Sequence, residues 1–84
     1  MIYLYVIKSD VNGNLNVGIC KNLNNRLKDH NSGKNRYTKG LRPWKMVFHE
    51  TFPDWASARV KEKYYKSGVG KEYLKRVLAP WFNG

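Results

Sequence analysis

Residues 2–8, IYLYVIK, carry a large apolar or aromatic side chain at every position but the last. Both faces of such a segment are apolar when it is extended, which predicts a central strand covered on both sides. DVNGN follows with an Asn-Gly pair, a strong short-range hairpin signal. LNVGIC (15–20) then alternates, with Leu15, Val17 and Ile19 on one face of a second strand. From residue 22 the period changes. Leu23, Leu27 and His30 become the inward positions of a helix over 22–31, with Asn22 as its N-cap. NSGKNRYTKGLRP reads as a loop punctuated by Gly33, Gly40 and Pro43.

WKMVFHETF (44–52) predicts a third strand with Trp44, Met46, Phe48 and Glu50 on one side. Pro53 breaks it, and Asp54 can cap a helix over 55–67 that stops at Gly68. A last amphipathic helix over 71–78 is ended by Pro80. The order β-β-α-β-α-α, with a hairpin at its start, predicts an α+β fold: a small three-stranded antiparallel sheet flanked by helices.

Composition narrows the class. Eighty-four residues suffice for one domain, taken as 1–84, that buries about 60–65% of its unfolded surface. Three Trp, six Tyr and three Phe supply much of the apolar area. Cys20 is the single cysteine, so an intrachain disulfide is excluded, and no Cys/His set has zinc-site spacing. No apolar run approaches the roughly 20 residues of a membrane span, and MIYLYVIK does not resemble a signal peptide. A reduced, cytoplasmic, soluble domain is the expectation.

Charge changes the picture most. Sixteen Lys and Arg stand against six Asp and Glu, a net +10. Residues 21–45 hold eight bases and one acid, Asp29. A basic band of this density points to a polyphosphate partner, most often nucleic acid. It does not separate binding from cutting. Lys21, Asn22, Lys34, Arg36, Tyr37, Thr38, Lys39 and Arg42 are the candidate contacts. In RYTKGLRPW, Thr38 and nearby amides could hold phosphate, or Tyr37 and Trp44 could pack the loop on the sheet; Trp44 is assigned to packing. His49 and Cys20 are read as structural.

One helix face carries an anomaly. Trp55, Ala58, Glu62 and Tyr65 recur at helical steps, and a carboxylate does not belong on a buried stripe unless it is partnered. Either Glu62 pairs at the stripe edge with Arg59 or Lys66, or it holds a cation at a site. Mg²⁺ commonly takes one or two protein carboxylates and completes its shell with water and phosphate oxygens. Asn22, Arg26 and His30 likewise form one i, i+4, i+8 row. A helix arginine is ordinarily solvated. A guanidinium beside a group titrating near neutrality also suits phosphate chemistry.

These segments resemble the GIY-YIG nuclease superfamily, in particular its small stand-alone bacterial members. The resemblance runs through YLYVIKS, VGICKNLNNRLKDHNSG, YTKGLRPWKMVF and ARVKEKYYKSGVGKEYLK. The first motif falls on Tyr3, Leu4 and Tyr5, and the second on Asn16, Val17 and Gly18. The family arginine, ten residues after its second tyrosine, lands on Arg26; the next Tyr or His lands on His30, and the metal-binding glutamate on Glu62. The resemblance implies a metal-dependent endonuclease hydrolysing DNA with Mg²⁺ or Mn²⁺ at Glu62. Arg26 would grip the phosphate, and Tyr5 with His30 would move the proton. The departure is Asn16, which has no phenol. Tyr5, His30 and Tyr37 are the groups available in its stead. The alternative is a weak or silent nucleic-acid-binding module on the same fold.

Overall fold

The computed structural model describes residues 1–78; Pro80, expected to end the last helix, lies outside them. The elements are β1 (Ile2–Ser9), β2 (Leu15–Cys20), α1 (Leu23–Ser32), a 3₁₀ turn at Lys39–Leu41, β3 (Trp44–Phe52), α2 (Trp55–Lys66) and α3 (Gly68–Val77). The strands form one antiparallel sheet in the order β2-β1-β3. This is the expected α+β fold, with β1 central.

The two apolar faces of β1 explain that position. Leu4 and Val6 point to a core completed by Val17, Tyr65, Leu74 and Leu78, under α2 and α3. Tyr5 and Ile7 point the other way, to Cys20 and Trp44, with Leu23 and Leu27 of α1 packed against them. Each fully buried leucine, such as Leu4 or Leu74, contributes about 1.5–3 kcal/mol. The hairpin forms as expected, with Gly13 at φ 77 and the Ser9 amide donating to Asn14. Asn12 does not take a positive φ, so this is not the tight two-residue turn that Asn-Gly favours.

β3 departs from its pattern. Val6 pairs with Phe48 but Ile7 pairs with Met46, so Val47 is an extra residue in the strand. A one-residue slip exchanges faces. Trp44 and Met46 therefore lie on the α1 side, whereas Phe48 and Phe52 pack under α2 and α3. The expected single face from Trp44 to Glu50 is corrected accordingly.

Asn22 caps α1 by accepting from the Asn25 amide, and Asp54 caps α2 by accepting from Ser57. Gly68 does not end α2. Ser67, extended, ends α2 and caps α3 through its hydroxyl, so α3 starts three residues earlier than expected. Gly70 makes this corner possible, because a Cβ there would collide with the Tyr64 carbonyl.

Candidate active site

A pocket of about 340 Å³ opens at the β2 edge of the sheet. Residues from both faces of β2 line it: Asn16 and Gly18 on the α1 side, Val17 and Ile19 on the other. The edge position lets α1 and α2, which cover opposite faces, both reach it. α1 brings Arg26 and His30, and α2 brings Glu62. Tyr5 enters from β1, directly across from Gly18. The absence of a side chain at Gly18 has a steric cause: a Cβ there would run into the Tyr5 ring. All five residues expected at the catalytic centre, Tyr5, Asn16, Arg26, His30 and Glu62, thus line one pocket.

The imidazole of His30 is buried and held at both nitrogens. Nε2 lies 3.0 Å from the Tyr5 hydroxyl, and Nδ1 lies 2.8 Å from Thr38 Oγ1. Burial, followed by the Arg26 charge, lowers the His30 pKa below its ordinary value, with Asp29 opposing. The ring is therefore neutral at pH 7. A neutral imidazole has one donor and one acceptor nitrogen, so one of its two hydroxyl partners donates and the other accepts. Thr38 is itself anchored, since the Trp44 indole Nε1–H donates to its carbonyl at 2.8 Å. Asn31 locks the end of α1 to β3, accepting from the Trp44 amide at 2.6 Å and donating to its carbonyl at 3.0 Å.

Burial pushes the Tyr5 phenol up to about 12, and Arg26 only partly offsets it. Tyr5 accordingly keeps its proton at neutral pH. Cys20, on the same face, is also pushed up by burial, so the thiol is a packing group rather than a nucleophile.

Glu62 is shielded, its side chain only 14% exposed, and its Oε2 lies 3.3 Å from Lys66 Nζ. Lys66 was one of the two partners its spacing allowed. Trp55, which starts the same helix row, is 43% exposed, so that row is buried only at Ala58 and Tyr65. Glu62 is the one carboxylate lining the pocket, and among the described residues no group of three His, Cys, Asp or Glu could hold a metal ion. A single carboxylate in a water-accessible pocket fits a hard divalent cation, which draws its other ligands from water and phosphate. It does not fit zinc, which wants three or four protein ligands.

The nucleic-acid candidates divide by what their side chains already do. Asn22 serves as a helix cap, and the buried Thr38 hydroxyl faces His30. Tyr37 lies 86% exposed at the pocket rim. Lys21, Lys34, Arg36, Lys39 and Arg42 are exposed, with Lys34 3.7 Å from Asp29 and Arg42 Nε donating to the Lys39 carbonyl. Sequence reasoning missed two pocket residues with polar side chains, Asn35 and Lys66, as site residues. The i+4 spacing of Lys66 from Glu62 was a usable signal. Asn35, inside the loop, gave none.

Comparison with known proteins agrees with this architecture. Residues 1–75 match the family model of the GIY-YIG catalytic domain. The chain is similar to a UPF0213 protein of Staphylococcus epidermidis, 33% identical over 76 residues that cover 89% of this chain and 92% of the relative. It is also similar to one of Clostridium perfringens, 37% identical over 78 residues, 92% of this chain and 83% of the relative. The solution structure of a UPF0213 protein from Bacillus halodurans superposes with a TM-score of 0.55 at 31% identity, covering 92% of this chain and 85% of the other. The names of these relatives state no activity. Sequence, fold and the family match converge: the chain belongs to the GIY-YIG family and has its nuclease fold.

Proposed function

We propose that this protein, acting as one domain over residues 1–84, is a metal-dependent endonuclease that hydrolyses phosphodiester bonds in DNA. The observation that carries the reading is the convergence of Tyr5, Arg26, His30 and Glu62 on one pocket in a chain of net charge +10. Arg26 offers a planar two-point grip on a phosphate and stabilises charge that develops on its oxygens. Tyr5 and His30 form a proton path. The phenol oxygen accepts a proton from the attacking water as the phenol proton passes to Nε2, so the phenolate, disfavoured by burial, need not form first. Glu62 would hold Mg²⁺ or Mn²⁺, and such an ion, when bound, polarises the phosphoryl oxygen and neutralises charge. The exposed bases of residues 21–45 would carry the DNA backbone.

A second reading has its own observation. Asn16 lines the pocket where the family has its second tyrosine, and an amide cannot serve as a base. On that reading the domain binds nucleic acid without cutting it. No helix among the described residues is long and apolar enough to cross a membrane. The deciding experiment incubates the pure protein with labelled single- and double-stranded DNA in Mg²⁺, Mn²⁺ or EDTA. Cleavage with either metal and none in EDTA is expected. Retention of DNA with no cleavage under any condition would replace the nuclease with the binding module.

A further inference from the structure

Lys66 is the charged pocket residue that the proposed chemistry does not use. Its ammonium sits 3.3 Å from Glu62 Oε2, the atom pair most directly in the way of a cation at that carboxylate. Glutamate four residues before lysine is the favourable order for such a helix pair. The two ends of the pair differ in freedom. The Glu62 side chain is 14% exposed and held at the pocket wall, whereas Lys66 is 55% exposed on a four-carbon stem. If either partner moves, it is the lysine.

We propose that Lys66 and a divalent cation compete for the Glu62 carboxylate, and that a polyanion in the pocket takes the ammonium as it leaves. This rests on the reading of Glu62 as the metal-holding group. A second positive charge within a few ångströms of the first is repelled by Coulomb's law, and the repulsion is moderated here by solvent around the exposed ammonium. Lys66 therefore weakens metal binding without blocking it. A phosphate backbone entering the pocket offers the ammonium a new partner beside Arg26, and the carboxylate is released to the metal. Metal and nucleic acid then favour each other's binding, and by linkage each strengthens the other by the same factor. The chain would thus load its metal mainly when nucleic acid is present.

The test measures Mn²⁺ affinity by electron paramagnetic resonance of the free ion, with and without a phosphorothioate oligonucleotide that resists cleavage. It compares the parent with Lys66→Met, Lys66→Arg, Lys63→Met and Glu62→Gln. Lys63 is exposed on the same helix but does not line the pocket, so Lys63→Met controls for net charge. Without oligonucleotide, Lys66→Met should bind Mn²⁺ about three- to tenfold more tightly than the parent. Lys66→Arg and Lys63→Met should match the parent. The oligonucleotide should tighten Mn²⁺ binding more in the parent than in Lys66→Met. If Lys66→Met is indistinguishable from Lys63→Met while Glu62→Gln loses Mn²⁺, the competition is refuted and the metal assignment stands. If Glu62→Gln binds Mn²⁺ as the parent does, or the parent binds none, the metal assignment fails and the competition falls with it.

Discussion

Three side chains in the pocket make separate, measurable demands. His30 is neutral inside the fold because burial and Arg26 depress its pKa below the ordinary 6.5. An unfolded chain with the ordinary value binds the proton more readily between the two pKa values, so stability rises with pH across that window. The contribution is therefore complete above about pH 6.5 and is lost as pH falls through the folded pKa. Urea melts of the parent from neutral to mildly acid pH should show that loss, and His30→Gln should flatten it. Arg26→Lys removes the planar fork while keeping the charge. Cleavage should drop far more than DNA affinity, because the grip matters most when charge builds on the phosphate. Equal losses would make Arg26 an ordinary backbone contact. Asn16→Tyr restores a phenol on a strand position that tolerates Tyr well. If a missing base limits the parent, cleavage should rise by about a hundredfold to ten-thousandfold. A well-folded variant no faster than a parent that already cuts would show that Tyr5 and His30 suffice.

At the scale of elements, the site depends on how α2 is oriented over the edge strand. α2 rests on the sheet through its buried Ala58 and Tyr65, and its far end is tied to α3 at a corner where Ser67 serves both helices and Gly70 packs against the Tyr64 carbonyl. Helix propensity alone would favour Gly70→Ala. The corner reverses the sign, because the added methyl meets backbone that cannot rotate away. A loss of about 1–3 kcal/mol in urea denaturation is expected, with cleavage reduced as α2 shifts Glu62. A more stable Gly70→Ala protein would contradict this packing. Sequence periodicity placed both helices but set the second start at residue 71, because Gly68 was read as a helix stop, whereas Ser67 caps α3 and Gly68 is its first residue.

For the whole molecule, the consequence is electrostatic. Under the proposed function, a net charge of +10 on 84 residues, with eight bases between 21 and 45, would make counterion release the main source of DNA affinity. Affinity for a short oligonucleotide should fall steeply from roughly 50 to 200 mM salt. A flat response would remove nucleic acid as the partner. Fluorescence anisotropy at several salt concentrations measures it directly.

Local pattern was enough for much of this protein. The doubly apolar IYLYVIK specified a strand covered by both helical layers, and it is the central one. Asn22 and Asp54 announced their helices through side chains that can accept an orphan amide. Arg26 and His30 shared a helix face at four-residue spacing, a property of the chain itself. The tertiary structure decided what depends on neighbours distant in sequence. Val47 changes the face of β3 because pairing with β1 accommodates an extra residue, which alternation cannot show. Thr38 reads as a phosphate contact until the loop folds back and puts its hydroxyl 2.8 Å from His30. Tyr5 and Glu62 belong to layers on opposite faces of the sheet. They share a pocket only because β2 is an edge strand around which both layers reach, and strand order is set by packing of the whole chain.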